Sequence, residues 1–223
     1  MKKQLLFVLI VVSVFAYNCG GKGGAEAGEA KAVDSTATAG ADAMVDVAAS
    51  KVEWVGKKVG GQHNGSIGIK DGMFKMTGGK VTGGMFTFDM NALNVMDLQG
   101  EDKGKLEGHL KSPDFFEVEK FPDAKFEITS VKEQPGADGA THAVDGNLTL
   151  RGVTKSVMFP ATIKYGEGGK AVMAMAKTSI NRNDWGVKFH TDEDADFLKK
   201  AGAKAKDQML NKEIELTLNI VSQ

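Results

Sequence analysis

Apolar and polar residues alternate with a period of two along much of the chain after about residue 44, a pattern typical of β-strands with two unlike faces. The clearest alternating stretches lie at residues 86–90, 144–151, 153–165 and 213–220. Shorter strand candidates are found at residues 51–59, 66–70, 73–78, 124–132 and 171–180. Residues 45–223 are therefore predicted to form one all-β domain.

Pairs of glycines punctuate these stretches, as expected for hairpin turns or bulges, where a positive φ or a sharp bend favours glycine. The pairs are Gly60-Gly61, Gly78-Gly79, Gly83-Gly84 and Gly168-Gly169. About eight antiparallel strands in one domain would leave long exposed edges unless the sheet closed on itself. The sequence thus predicts a closed barrel, and a barrel of about eight strands can enclose one small ligand.

Two regions of the domain are expected to be helical. Residues 102–111 place Leu106 and Leu110 at helical spacing, which indicates a short amphipathic helix. Ser112 and Pro113 then suit the N-cap and the first position of a further short helix. Residues 194–210 are predicted to form either a surface helix or an ordered loop interrupted by a glycine at position 202.

Residues 1–18 have the organisation of a signal peptide. Lys2 and Lys3 form a basic region, and an apolar run from Leu5 to Ala16 follows it. This run is shorter than the ~20 residues that cross a bilayer, and it has the length of a signal-peptide core. The protein is therefore expected to be exported.

Cys19 follows the apolar run and is the only cysteine of the chain, so the fold cannot depend on an internal disulfide. The sequence Ala16-Tyr17-Asn18-Cys19 resembles a lipoprotein signal, although Tyr17 and Asn18 are bulkier than usual; the alternative is ordinary cleavage after Ala16. Acylation of Cys19 would anchor the protein on the periplasmic side of the cell envelope. Gly20 provides no acidic retention signal, which favours the outer membrane.

Residues 19–44 are expected to form a flexible linker that begins with the lipidated cysteine. More than half of residues 20–43 are Gly or Ala, and Val33 is the only large aliphatic residue among them. Such a segment buries too little apolar surface to offset the entropy lost when it becomes ordered. The sequence predicts a tether between the membrane and the domain.

Several motifs, read in order, resemble those of the YceI-like family, also called polyisoprenoid-binding or lipid-binding YceI-like domains. They are SKVEWVG at residues 50–56, QHNG at 62–65, SPDFFEV and FPDAKF within 112–126, DGNLTLRGVTK at 145–155 and INRNDWG at 180–186. The resemblance covers about residues 45–223, and residues 190–211 depart from it by being longer and richer in Lys and Asp. It implies a lipocalin-like, eight-stranded antiparallel barrel whose apolar channel holds a long isoprenoid, such as a polyprenyl phosphate or a quinone tail.

An isoprenoid tail offers no hydrogen bonds, so its site should be lined by aliphatic, aromatic and methionine side chains. The candidate lining residues are Phe86, Phe88, Met90, Phe126, Ile128, Phe159, Met173 and Met175. The alternative is that these side chains fill a solid core. A one-residue error in strand phase would also move a whole set to the outer face.

His63 and Arg182 are candidates for contacts with a polar head group. A histidine can donate a hydrogen bond or carry a partial positive charge, and the planar fork of arginine suits a phosphate. The alternatives are a surface or turn-stabilising role for His63 and a structural ion pair of Arg182 with Asp184 or another nearby acid. Arg151, the other arginine of the chain, is expected to point outward from its strand.

Two functions other than lipid binding are left open by the residues. Met173-Ala174-Met175 has a spacing found in copper sites, and thioethers favour Cu(I), so a metal-binding envelope protein is one alternative. The four histidines lie far apart in the sequence, however, unlike typical metal ligands. A structural or stress-related barrel without a physiological ligand is the other alternative.

Catalysis and nucleic-acid binding are not predicted. The chain has no Gly-x-Ser-x-Gly elbow and no glycine-rich phosphate loop. Its formal net charge is −1 and it has no basic cluster that would attract nucleic acid. The expected partners are an isoprenoid lipid, with no other cofactor, and the membrane, and a homodimer is compatible with the sequence.

Overall fold

Ten strands run through the residues that the structure describes, which are 24–169 and 171–223. The structure is a computed structural model. The strands are β1 (Gly28–Glu29), β2 (Ala41–Met44), β3 (Lys51–Lys58), β4 (Gly61–Thr77), β5 (Lys80–Val95), β6 (Asp123–Glu133), β7 (His142–Leu150), β8 (Val153–Tyr165), β9 (Val172–Asn181) and β10 (Leu210–Val221). The helices of the same residues are α1 (Ser35–Thr38), α2 (Gly100–Lys111), α3 (Ala195–Ala201) and α4 (Ala205–Gln208), with short 3-10 turns at Ala137–Gly139, Glu167–Gly169, Arg182–Trp185 and Gly202–Lys204.

Strands β3 to β10 form a closed antiparallel barrel. From β3 to β8 each strand pairs with the next along the chain, β10 pairs with both β3 and β9, and β9 pairs with β8 to complete the ring. The predicted eight-stranded barrel is therefore confirmed. The strand candidates at residues 66–70 and 73–78 belong to one long strand, β4, because register shifts against β5 let it bend without ending.

The helix predicted at residues 102–111 is present as α2, but the further helix predicted after Ser112 is wrong. Residues 112–116 form turns. The Ser112 hydroxyl and the Ser112 N–H both donate to the carbonyl of His109, so this serine ends α2 and does not begin a new helix. The polar stretch at residues 194–210 contains α3 and α4, which are interrupted at a glycine in the left-handed region, Gly202 (φ 53°).

Residues 24–44 differ from the flexible linker predicted for them, because they pack along the outside of the barrel; we call them the strap. Within the strap, β1 pairs with β8 and β2 pairs with β4. Lys31 lies in the strap between β1 and β2, and it is held by Asn147 of β7. The Asn147 side chain accepts a hydrogen bond from the Lys31 N–H and donates one to the Lys31 carbonyl. The Asp34 N–H donates to the Thr129 carbonyl on the next barrel strand, so the strap is held across several strands.

The first residues of the strap fill a gap in the barrel wall. β8 and β9 pair directly over only four residues of each strand, at one end. β1 pairs with another part of β8, and the Ala25 N–H donates to the Ser179 carbonyl of β9 at 2.8 Å. At Gly28 a Cβ would lie 2.8 Å from the hydroxyl oxygen of Ser156, so a side chain there would require Ser156 or the strand to shift. The small residues that suggested flexibility thus permit close contact with the wall.

Candidate functional site

The barrel encloses an apolar cavity of about 340 Å³, which lies within the range of ~300–1,000 Å³ common for small-molecule sites. Its wall is built from the inward side chains of several strands, including Trp54, Phe88, Phe159 and Leu216. Helix α2 covers one side of the cavity through residues such as Leu106. A wall of this kind offers few hydrogen bonds and suits a hydrocarbon chain.

The charged residues that line the cavity gather at one end of the barrel, which we call the mouth. Lys57 and Lys58 are the last two residues of β3, and Arg182 comes from the segment after β9. Leu210, at the start of β10, pairs with Lys58, and three residues later β10 pairs with the end of β9. The pairing of β10 therefore brings these distant segments to the same end.

An aromatic cluster forms one side of the mouth. The ring of Phe189 lies 4.7 Å from the ring of His109 on α2 and 5.3 Å from the ring of Phe115, measured between centroids. His109 and Phe115 are themselves 5.0 Å apart in an edge-to-face arrangement, the geometry that aromatic pairs prefer. The cluster joins α2 to the segment between β9 and α3.

Arg182 is 2% exposed and binds backbone carbonyls, in contrast to the alternative of an ion pair with Asp184. Its guanidinium donates to the carbonyls of Val187 at 2.9 Å, Phe189 at 2.8 Å and Asn211 at 3.3 Å. Burial lowers the pKa of Arg182 to about 10, so the side chain stays charged at neutral pH. No ion pair joins it to a carboxylate in the part of the chain that the structure describes.

Arg151 does not point outward as expected. Its guanidinium donates to the carbonyl of Gly186 at 2.7 Å and to the carbonyl of Pro113 at 2.9 Å, and it lies near the carboxylate of Glu117. The reason is its position in the turn after β7, at a φ of 51°, which directs the chain away from the polar face of the strand. Both arginines thus hold loops together.

His63 lies in the cavity lining near the mouth and pairs with Asp97. Its Nδ1 is 2.8 Å from a carboxylate oxygen of Asp97, whose other oxygen accepts the Asn64 N–H at 3.0 Å. Burial acts to raise the pKa of Asp97, but the hydrogen bonds from Asn64 and His63 outweigh it and lower that pKa below its usual range. The carboxylate therefore holds the imidazole in place.

Most of the predicted lining residues face the interior of the barrel. Those that border the main cavity are Phe88, Met90, Phe126 and Phe159. Phe86 and Ile128 border a second, smaller cavity further inside, as do Phe88, Phe126 and Phe159.

The two methionines of β9 do not follow the predicted face. Met173 is exposed and borders neither cavity, and Met175 touches only the smaller one. In the register with β10, the neighbour of Met175 is the polar Asn219, whereas Ala176 lies opposite Leu218 of the main cavity. The inward face of β9 therefore carries valine and alanine over residues 172–176, and the assignment of Met173 to the interior is corrected.

Several lining residues were not singled out from the sequence. They come from β3, α2, β9 and β10 and include Trp54, Leu106, Leu110, Thr178, Leu216 and Leu218. The alternation in β10 and the spacing of the leucines in α2 both indicated buried faces. Neither pattern indicates that the two faces border the same cavity.

Two further features of residues 24–169 and 171–223 bear on the alternatives. No three His, Cys, Asp or Glu side chains of these residues are grouped closely enough to hold a metal ion. None of their helices is long and apolar enough to cross a membrane. The predicted signal peptide and Cys19 lie outside the described residues.

An eight-stranded antiparallel barrel with an apolar interior and a charged mouth defines the class of lipocalin-like barrels. Within this class, the chain belongs to the YceI-like family, since the family model for the YceI-like domain matches residues 44–222. The strap before residue 44 lies outside that match. The family predicted from the sequence motifs is thereby confirmed.

The chain is similar to bacterial relatives over part of its length. It is 38% identical over 124 residues to a UPF0312 protein of Pseudomonas putida, a match that covers 53% of this chain and 60% of that protein. It is 35% identical over 144 residues to a UPF0312 protein of Pseudomonas fluorescens, covering 61% and 70%. The matched part thus spans about 60% of the length of the P. putida relative.

Two solved structures share the fold. BcnA of Burkholderia cenocepacia superposes with a TM-score of 0.60 at 20% identity, covering 80% of this chain and 99% of BcnA. A polyisoprenoid-binding domain from Saccharophagus degradans, described as implicated in plant cell wall breakdown, superposes with a TM-score of 0.56 at 14% identity, covering 81% and 97%. At these identities the likeness concerns the fold alone.

Proposed function

We propose that this protein binds the apolar tail of a long isoprenoid lipid, such as a polyprenyl phosphate or an isoprenoid quinone, inside the barrel. Its role would be storage or transport of that lipid in the cell envelope, as a binding protein and not as an enzyme. The observation that carries the proposal is the apolar cavity of about 340 Å³, which opens toward a charged mouth. The description of the S. degradans structural neighbour as a polyisoprenoid-binding domain agrees with it.

The head group of the lipid would lie at the mouth, near Arg182 and His63. Arg182 is a buried cation whose hydrogen bonds to Val187, Phe189 and Asn211 use three of its five N–H groups. The remaining N–H groups can serve a phosphate or a quinone oxygen. Lys58 adds positive charge at the same end, whereas the ammonium of Lys57 is paired with the carboxylate of Glu215. An anionic or strongly polar oxygen would be favoured beside Arg182 and Lys58.

Native mass spectrometry of the protein purified from its own membranes tests this function. We expect a stoichiometric adduct with the mass of an isoprenoid lipid, because burial of each methylene group contributes about 0.8 kcal/mol and a long tail is therefore retained through purification. Extraction with organic solvent should remove the adduct and leave the folded barrel. A protein that carries no lipid but binds copper would contradict the proposal.

We also propose that acylation of Cys19 holds the mouth close to a membrane, with the outer membrane favoured. Gly24 lies against Ser179 and Glu213, beside the mouth end of β9 and β10. Gly24 lies five positions after Cys19, and a fully extended chain spans at most about 3.3–3.6 Å per residue, or roughly 18 Å here. Because the strap is packed on the barrel, only residues 19–24 would separate the lipid anchor from the domain. The distance between membrane and barrel would therefore be limited to this short span and would not extend over all of residues 19–44.

Labelling of cells with radioactive palmitate tests the anchor. Wild-type protein is expected to incorporate the label and to fractionate with membranes, and Cys19→Ala is expected to do neither, because no other thiol can be acylated. Asn18→Ala, which keeps the cysteine, serves as the control. A wild-type mature chain that begins at Tyr17 and carries no label would instead indicate ordinary cleavage after Ala16.

A further inference from the structure

A partition of four side chains divides the interior of the barrel. Beyond the main cavity lies a second one of about 60 Å³, whose lining consists of apolar residues alone and extends to Val81 and Ile163, away from the mouth. Phe88, Phe126 and Leu218 border both cavities, as does Phe159. These four side chains come from β5, β6, β10 and β8, so the partition crosses the barrel from several sides.

The Phe126 ring is held in the partition by its neighbours. Its centroid is 5.6 Å from that of Phe159 and 6.4 Å from that of Phe86, which lies on the side of the smaller cavity. A Cβ at Gly146 on the adjacent strand would overlap the Phe126 ring, so this glycine provides the space that the ring occupies. Glycine within a strand often marks such a close approach.

We propose that this partition sets the maximum length of the lipid tail, with Phe126 as the residue that determines specificity for chain length. The inference rests on the proposed function, in which a tail enters at the mouth and runs inward. A tail that reaches the partition gains apolar contacts up to that point, and any further isoprene unit has to remain outside or displace the rings. Removal of the Phe126 ring would join the two cavities and allow a longer tail to be buried.

Titration with polyprenols of increasing length tests the partition. For the delipidated wild-type protein, affinity is expected to rise from farnesol to longer polyprenols and then to level off. In Phe126→Ala the plateau should move to a longer polyprenol, which should bind about tenfold more tightly than it binds to wild type, as expected when about two more methylene equivalents are buried. Phe126→Leu, which disturbs the core less, should give a smaller shift in the same direction.

Phe74→Ala is the matched control, because it removes a ring of the same size from the smaller cavity. Phe74 is not one of the four partition side chains, and its ring packs against Phe86 and not against Phe126. It should keep the wild-type plateau. A plateau at the same length in wild type and in folded Phe126→Ala and Phe126→Leu would overturn the inference while leaving lipid binding intact. If wild type binds no polyprenol of any length, the proposed function fails, and the inference fails with it.

Discussion

Phe88→Asp is expected to abolish retention of the lipid. Phe88 borders both cavities, so an aspartate there would place a carboxylate against the tail. Burying an ionised group without a partner costs several kcal/mol, whether the carboxylate loses its water or takes up a proton. Because each 1.4 kcal/mol changes affinity tenfold, the loss should be about a thousandfold. Polyprenol titration and native mass spectrometry of the purified variant would measure it.

Met85→Asp is the matched control for this change. Met85 lies on the same strand, β5, but is 43% exposed on the outer face of the barrel. An aspartate there stays in water, so retention of the lipid should equal that of wild type. Circular dichroism would establish that both variants are folded. Full retention by a folded Phe88→Asp protein would show that the tail does not occupy this part of the interior.

Arg182→Met is expected to lower the free energy of unfolding by about 3 kcal/mol, because it leaves the carbonyls of Val187, Phe189 and Asn211 without their donor. Methionine fills similar volume with an apolar chain, so the effect should report mainly on the lost hydrogen bonds. For a domain of this size the loss corresponds to roughly 6–12 °C in Tm. Urea denaturation followed by tryptophan fluorescence would measure the change, since Trp185 is fully buried in the turn that contains Arg182.

Arg151→Met provides the comparison for Arg182→Met, because Arg151 also donates to two loop carbonyls. Its side chain is partly exposed, so water can replace the lost donors and the destabilisation should be about 1 kcal/mol. An equal decrease in the free energy of unfolding in the two variants would indicate that burial of the Arg182 hydrogen bonds adds nothing to their contribution to stability. Arg182→Lys should behave like Arg182→Met, because an ammonium group cannot reach three carbonyls in this geometry.

Strands β5 and β9 show how far the alternation of apolar and polar residues can predict which side chains face the cavity. In β5 the aromatic residues and Met90 alternate with polar ones, and the residues predicted to face inward do border a cavity. In β9 both faces are apolar near residues 172–176, and the size of the methionines favours the wrong face over the one with the smaller valine and alanines. Only the pairing with β10 decides between the faces, because residues opposite one another on adjacent strands share a face.

The strap shows a second limit of local sequence reasoning. Its Gly and Ala content correctly indicates that it cannot form a core of its own, but that content does not exclude packing on a surface made elsewhere. The contact between Lys31 and Asn147 joins residues 116 positions apart, and no local pattern encodes it. The short side chains that predict disorder in isolation are the ones that fit against the barrel wall.

The sequence by itself determined that this protein is a closed barrel, because strand periodicity and turn glycines are local properties that each segment carries alone. The YceI-like family followed from the resemblance of its motifs. Only the tertiary structure decided that Arg182 binds carbonyls, that the strap completes the wall between β8 and β9, and that four strands supply a partition inside the barrel. The physical reason is that these features depend on which distant segments meet. Strand register determines which residues of distant segments are in contact, and a shift of one residue would exchange the inner and outer faces.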